Sequence, residues 1–151
     1  QFLFMTDGYN FRSSEINAVL GLSQLKRLDK MIEQRQRNFR RFTEIINNYP
    51  KTFHPVKCQV GSSNFAFPFI LQDMGLLPKL QEHFDHYKIE HRPIVGGNLL
   101  KQPFLKDYGF ATPIQYPNVD KLHYNGVYIG NNHFIGSEDM NWLETVIKNF
   151  T

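Results

Sequence analysis

The fold is decided by residues 8–18, which have the sequence GYNFRSSEINA. A glycine turn is followed by the amide of Asn10 and the guanidinium of Arg12. Ser13 or Ser14 can then accept a hydrogen bond from the free N–H groups of a first helical turn. The helix dipole and those N–H groups both favour negative charge at a helix start. The stretch therefore indicates an anion site before a helix, and an ordinary turn with a helix cap is the alternative.

A long helical region follows, from about residue 13 to residue 48. It holds no proline, and Gly21 is its only glycine. A bend is expected near Asp29. Apolar side chains in the first piece cover more than one face, which predicts burial on several sides, and Gly21 is expected to let another backbone come close. These side chains are Ile16, Val19, Leu20, Leu22 and Leu25.

The second piece of this region combines an apolar stripe with a basic face. The stripe predicts packing against a core. The basic face predicts a solvated surface rather than a nucleic-acid surface, because that face carries no aromatic residue for base stacking. The stripe consists of Leu28, Ile32, Phe39, Phe42, Ile45 and Ile46, and the basic face of Arg35, Arg37, Arg40 and Arg41 with Glu33.

The rest of the chain alternates short strands with helices, which predicts one α+β domain over residues 1–151. Three or four strands are expected to be packed by helices on one side, with the long helical arm leading in. Residues 96–118 contain three prolines and are expected to form a long irregular loop. Strands are expected at 62–71, 89–95 and 126–130, and helices at 76–87, 119–125 and 138–150, the last capped by Ser137.

Composition excludes several classes of protein. The net charge of +3 is too mild to imply nucleic-acid binding, and no apolar run approaches the roughly 20 residues that a membrane span needs. Cys58 is the one cysteine, so an intramolecular disulfide is excluded and a reducing, cytoplasmic location is expected. The chain begins with Gln1 rather than methionine, in what resembles a strand, so it is expected to be part of a longer protein.

Two further polar clusters are candidate ligand sites. In the first, Arg92 and Asn98 flank two glycines, and guanidinium and amide groups on such a loop suit a phosphate or a sugar. In the second, Asn131 and His133 follow a short strand. A surface loop or a plain turn is the alternative for each. No metal site is expected, because no cysteine pair or carboxylate completes a ligand set with the histidines.

Beyond these clusters, the sequence resembles a known family. Residues 8–12 (GYNFR), followed by 15–22 (EINAVLGL), are similar to the motif that opens the C-terminal region of the DegT/StrS group of sugar-nucleotide aminotransferases, which are fold-type I pyridoxal-phosphate enzymes. Residues 92–101 (RPIVGGNLLK) and 125–131 (NGVYIGN) resemble one branch of the group, the 3-dehydratases of nucleotide-linked 4-keto-6-deoxyhexoses. The resemblance extends from about residue 8 to residue 150.

The resemblance implies the small C-terminal domain of an enzyme that uses pyridoxal phosphate or pyridoxamine phosphate. It places Asn10 on the cofactor phosphate of the second subunit of a homodimer and Arg12 near the sugar nucleotide. Arg92 and Asn98 are expected to hold substrate or to shape its pocket, and His133 is a weaker substrate-binding candidate. The family's large domain supplies the residue that faces the cofactor, a lysine in aminotransferases and a histidine in GDP-sugar dehydratases.

The implied activity is 3-dehydration of a nucleotide-linked 4-keto-6-deoxyhexose for a cell-surface polysaccharide. The 151-residue chain alone is expected to be inactive, because the cofactor-facing residue belongs to the large domain. An aminotransferase of the same family is one alternative. A non-catalytic interaction module, whose basic helix binds a partner, is the other. Neither nucleic acid nor a membrane is expected as a partner.

Overall fold

The computed structural model describes residues 3–6, 8, 14–109 and 115–151, with the side chains of residues 106 and 107 excepted. Asn10 and Arg12 lie outside the described residues. Six helices and three strands form the described part of the fold. In chain order they are α1 (Glu15–Leu25), α2 (Leu28–Asn47), β1 (Ala66–Ile70), α3 (Leu77–His86), β2 (His91–Pro93), α4 (Pro103–Asp107), α5 (Pro117–Asn125), β3 (Gly126–Gly130) and α6 (Ser137–Phe150).

The helical arm starts as the sequence predicts but is not buried. The Ser14 side chain caps α1 by accepting a hydrogen bond from the backbone N–H of Asn17, at 3.3 Å. The break between α1 and α2 falls at Lys26 and Arg27, before the expected bend at Asp29. The expectation that α1 is buried on several sides is wrong for this chain, because α1 has no buried residue.

The apolar side chains of α1 remain 58–73% exposed. A β-carbon built on Gly21 would meet nothing within 4 Å, so the described chain does not supply the close backbone that was expected there. A helix that is apolar around much of its surface normally lies inside a larger structure. The apolar side chains of α1 therefore have no cover within the described residues.

Helix α2 packs as predicted over its second half. Phe39, Phe42, Ile45 and Ile46 are at most 3% exposed, while Leu28, at the start of the helix, is 39% exposed. The four buried side chains recur at helical spacing and cover one face of the sheet. This half of α2 therefore anchors the arm to the core.

The sheet has the strand order β1-β3-β2, and both pairings are antiparallel. Because side chains alternate along a strand, one face carries Phe67, Phe69, Val127 and Ile129, which are at most 6% exposed. That inner face packs against α2, α3 and α6. The ring of Phe42 lies 4.8 Å from that of Phe67 and 5.1 Å from that of Phe69, measured between centroids.

The expected irregular loop over residues 96–118 contains helical segments. A short 3₁₀ turn forms at Leu99–Lys101, α4 begins at Pro103, and α5 begins at Pro117. Proline is accommodated in the first turn of a helix, where its missing N–H has no partner to lose, so two of these prolines start helices rather than loops. The cap of α6 is Gly136, not Ser137 as expected, and Asp139 accepts a hydrogen bond from the N–H of Gly136 at 2.8 Å.

Candidate functional site

The outer face of the sheet carries an open cavity beside Arg92. Arg92 lies opposite Tyr128 in the register of β2 and β3. The rings of Phe65 and Tyr128 meet edge to face, with their centroids 6.0 Å apart. The cavity encloses 380 Å³, a volume within the range of small-ligand sites. Its lining consists of Phe65, Glu90, Arg92, Tyr128 and Gly130.

Arg92 is paired with an acid within this cavity. Its Nε and Nη2 atoms both donate to Oε1 of Glu90, and the Nε bond measures 3.2 Å. The hydrogen bond with Glu90 raises the pKa of Arg92 above its ordinary value. Both side chains are more than half exposed, at 54% and 78%, so the pair is weak and a phosphate can compete for the guanidinium.

Asn98 is a buried residue that shapes the loop after β2. Its Oδ1 accepts from the N–H of Leu100 at 3.0 Å, and its Nδ2 donates to Oδ1 of Asp120 at 2.8 Å. Its own backbone N–H donates to Nδ1 of His123 at 3.0 Å. With both ends of its amide engaged inside the chain, Asn98 fits the pocket-shaping half of the sequence expectation, and direct substrate contact stays a prediction.

The same loop is held against α5 by a charged contact. Nζ of Lys101 lies 3.3 Å from Oδ1 of Asp120 and 5.2 Å from the ring centroid of Tyr124. The hydrogen bond from Asn98 lowers the pKa of Asp120, and partial burial lowers the pKa of His123. These contacts keep Asp120 ionised and the imidazole neutral, which is the form whose Nδ1 can accept a hydrogen bond.

The N-terminal segment passes along this loop just before residues 8–12. The N–H of Phe4 donates to Oε1 of Gln102 at 2.8 Å, and the N–H of Phe104 donates to the carbonyl of Phe4 at 3.2 Å. Gln102 is 2% exposed and also donates to the carbonyl of Gly96 at 2.9 Å. The chain that leads to Asn10 is thus attached to the loop that carries Asn98.

His133 lies in a different environment from Arg92 and Asn98. It belongs to the loop after β3 and lines a cleft along α2. Within the described residues, the hydrogen-bond and cavity partners of Arg92, Asn98 and His133 do not overlap. The structure therefore does not bring the three candidates into one pocket.

Three residues of the outer-face cavity were missed by sequence reasoning, namely Phe65, Glu90 and Tyr128. Glu90 and Arg92 are two positions apart, which places them on the same side of an extended segment. That spacing could have identified Glu90 as the partner of Arg92. Nothing in the sequence alone pairs Arg92 with Tyr128, because the register between β2 and β3 is a property of the folded sheet.

Metal-binding clusters and membrane-spanning helices are both absent from the described part of the chain. Over residues 3–6, 8, 14–109 and 115–151, no group of three or more histidine, cysteine or acidic side chains could hold a metal ion. In the same ranges, no helix is both long enough and apolar enough to cross a bilayer.

The sequence profile of the DegT/DnrJ/EryC1/StrS aminotransferase family matches residues 1–148. The chain belongs to this family. The match covers the motif at residues 8–18 as well as the loops that carry Arg92 and Asn98, and it confirms the family that the sequence resembles.

Among curated and solved family members, the chain is similar to proteins of the dehydratase branch. The chain is 33% identical to GDP-4-keto-6-deoxy-D-mannose 3-dehydratase from Escherichia coli O55:H7, over 97% of the chain and 38% of that protein. It is 32% identical to the solved E. coli enzyme with bound hydrated PLP, with a TM-score of 0.76 over 96% of the chain and 38% of that structure.

A structure of a variant GDP-4-keto-6-deoxymannose-3-dehydratase with bound GDP-perosamine is 31% identical, with a TM-score of 0.77 over 97% of the chain and 38% of that structure. The chain therefore spans 38% of the length of each of these three relatives. These matches confirm the α+β fold expected from the sequence, with its small sheet and helical arm.

Proposed function

We propose that this chain is the C-terminal small domain of a PLP- or PMP-dependent enzyme that removes the 3-hydroxyl of a nucleotide-linked 4-keto-6-deoxyhexose. The similarity to GDP-4-keto-6-deoxy-D-mannose 3-dehydratase, which extends over 97% of the chain, carries the proposal. The product would serve the synthesis of a cell-surface polysaccharide. We place the enzyme in the cytoplasm as part of the same proposal, since an exposed free thiol at Cys58 suits a reducing compartment.

The cofactor, bound as pyridoxamine phosphate, would supply an electron sink at the sugar's keto group and, through oxidation of its amine carbon to the aldehyde level, the two electrons that replacing the 3-hydroxyl by hydrogen requires. The amide of Asn10 suits its phosphate, because an amide N–H donates without adding charge. Every lysine whose side chain the structure describes is exposed, which fits a chain that contacts the cofactor at its phosphate rather than at its ring. Arg12 would stand beside Asn10, near the sugar nucleotide.

The outer-face cavity is proposed to receive part of the substrate. The guanidinium of Arg92 can bind a diphosphate through two N–H groups, and the rings of Phe65 and Tyr128 offer apolar faces for a sugar or a base. Glu90 holds the guanidinium in place until the phosphate arrives. Asn98 lies outside this cavity and keeps the loop after β2 in one shape.

The exposed helix α1 supports assembly with the rest of the enzyme, including the second subunit of a homodimer. Its apolar arc is too wide for one contact surface, and the Asn10 motif immediately precedes it. In the whole enzyme, Leu22→Lys is expected to weaken assembly, which sedimentation velocity would measure. Unchanged sedimentation and unchanged activity would contradict this part of the proposal.

The reaction and the role of Arg92 can be tested together in the whole enzyme. With GDP-4-keto-6-deoxymannose as substrate, mass spectrometry should detect a 3-deoxygenated sugar. Arg92→Ala should raise KM about tenfold, since a charge-assisted hydrogen bond contributes about 1.5 kcal/mol or more. Arg40→Ala, an exposed arginine on α2, is the control and should leave KM unchanged.

Two results would count against this function. An aminated product with the 3-hydroxyl intact would establish an aminotransferase instead. If Arg92→Ala is as active as the wild type and the product is deoxygenated, the proposed reaction stands. The proposal that Arg92 binds the substrate is then refuted.

A further inference from the structure

A basic cleft runs between α2 and the loop at residues 131–136. Among the positions that α2 contributes, Lys30, Gln34 and Arg37 are spaced three or four residues apart, so they lie along one face of the helix. The cleft encloses 560 Å³ and is open to solvent, which is enough room for a mononucleotide. Its lining consists of Arg27, Lys30, Met31, Glu33, Gln34, Arg37, His133 and Phe134.

Positive charge dominates the cleft. Arg27, Lys30 and Arg37 face one carboxylate, that of Glu33. Across the described residues, no carboxylate lies within ion-pair distance of these three cations. Arg37 is positioned by a hydrogen bond that its Nη2 donates to Oε1 of Gln34, at 2.7 Å. The cations therefore remain available to an anionic ligand.

An aromatic surface stands beside these cations. Phe134 is 82% exposed, although a side chain of this kind is usually buried. Its ring lies 4.1 Å from that of His133 between centroids, with 37° between the planes. Nδ1 of His133 is shielded from solvent and has no hydrogen-bond partner among the described residues. A planar ligand could stack on the exposed ring of Phe134.

The loop that presents these two rings is held in place by buried amides. Asn38 is 3% exposed, and its Nδ2 donates to the carbonyl of Ile135 at 3.1 Å and to Oδ1 of Asn131 at 3.3 Å. Asn131 is 2% exposed, and its Nδ2 donates to the carbonyls of Arg35 and Asn64. The exposure of Phe134 is thus imposed by a fixed loop, and the aromatic surface is already formed before a ligand binds.

We propose that this cleft binds a nucleoside diphosphate, with the phosphates on Lys30 and Arg37 and the base on Phe134. Clustered cations alone are typical of a solvated helix face, and the aromatic residues among the arginines of α2, Phe39 and Phe42, are buried in the core. The fold brings His133 and Phe134 to the cations from about a hundred positions away. Phosphate-binding cations with an adjacent stacking ring are the combination that nucleotides require. The inference goes beyond the proposed function and does not depend on it.

Titration calorimetry of GDP into the 151-residue chain, at about 0.15 M ionic strength, tests the proposal. GDP should bind saturably to the cleft, separately from any binding at the outer-face cavity beside Arg92. Arg37→Gln should weaken binding about tenfold, as expected for a lost charge-assisted hydrogen bond. Phe134→Leu should weaken GDP binding about tenfold and leave the binding of inorganic pyrophosphate unchanged, since only GDP carries a base to stack.

Arg40→Gln removes the same charge from α2 outside the cleft and should change GDP affinity less than about twofold. Thermal unfolding of each variant should match the wild type, so that loss of binding is not loss of folding. No saturable GDP binding would overturn the proposal. So would equal weakening by Arg37→Gln and Arg40→Gln, or tighter binding of a single-stranded RNA hexamer than of GDP.

This experiment measures neither the assembly state nor the activity of the whole enzyme. A chain that fails to bind GDP in the cleft leaves the 3-dehydratase proposal standing. Conversely, a chain that binds GDP here while the whole enzyme yields an aminated product refutes only the proposed reaction.

Discussion

Single residues hold the loop between β2 and α4 in one shape. Asn98 links the loop to Asp120 and His123 on α5, and Gly97 lies directly beneath the His123 ring. The sequence identified Asn98 as a polar residue of interest after two glycines. It could not show that the partners of Asn98 come from residues more than twenty positions later, because those contacts exist only when α5 packs against the loop.

Gly97 should not tolerate a side chain. It has φ of +57°, and a β-carbon there would lie 2.3 Å from Nδ1 of His123. Gly97→Ala should lower the free energy of unfolding by about 2–4 kcal/mol, the sum of a left-handed backbone and an overpacked contact. Urea denaturation measures this change.

Gly109→Ala is the matched control for that substitution. Gly109 also has a left-handed φ, of +67°, but a β-carbon there would meet nothing within 4 Å. Only the backbone penalty of about 1–2 kcal/mol should appear. Equal losses for the two variants would mean that the contact with His123 contributes nothing.

Stability should fall as the pH is lowered through the range in which His123 titrates. Partial burial lowers the pKa of His123 in the folded chain, so the unfolded chain takes up the proton first, at a pH of about 6.5. Below that pH the unfolded state is favoured, and the loss continues until the pH reaches the folded pKa. The protonated ring can no longer accept the N–H of Asn98.

The measurement is urea denaturation of the wild type and of His123→Gln from about pH 7.5 to about pH 5, which spans the ordinary pKa of histidine. Because the other histidines are common to both proteins, the difference between the two curves isolates His123. The wild type should lose more stability than the variant. Parallel curves would show that His123 does not couple proton uptake to unfolding.

Among the secondary-structure elements, α2 connects the core to the loop after β3. The apolar stripe of α2 was evident from its helical spacing, and β3 was placed at its observed bounds because a short apolar run lies between turn residues. The junction between α2 and the loop could not be predicted in this way. It depends on Asn38 and Asn131, which are polar residues that a hydrophobic pattern assigns to the surface, although both are buried.

Asn38→Ala should therefore destabilise the chain by about 2–3 kcal/mol, because the substitution leaves buried amide and carbonyl groups without partners. Asn149→Ala is the control, since its side chain bonds to Tyr87 at an exposed position. The control should change the free energy of unfolding by less than about 0.5 kcal/mol. Similar losses in the two variants would contradict a structural role for the buried amide.

At the scale of the whole molecule, the apolar residues of α1 show that the sequence of a helix does not specify the surface that covers it. Its apolar residues predict a buried helix, yet α1 has no buried residue, because burial depends on a partner surface that these residues do not encode. The outer-face cavity has a similar origin, because Arg92 and Tyr128 meet through the register of the sheet. Fold class and strand positions follow from local patterns, whereas the lining of a site follows from long-range packing.

The 151-residue chain should not bind the cofactor covalently. Its described lysines are exposed, and a lysine that is not desolvated in an apolar pocket is a poor nucleophile. Mixed with pyridoxal phosphate and then desalted, the chain should show no cofactor absorbance, while the whole enzyme should retain it. Stoichiometric absorbance that survives desalting would contradict this expectation.

The strand order β1-β3-β2 also has a consequence during synthesis of the chain. β3 is the last of these strands to leave the ribosome, yet it is the strand with which both others pair. Until residue 130 has emerged, the backbone N–H and C=O groups of β1 and β2 that pair with β3 have no partner. Helix α2 then has no complete sheet against which to pack. The sheet can therefore form only after β3 has emerged, and a ribosome stalled before β3 would hold a product prone to aggregation.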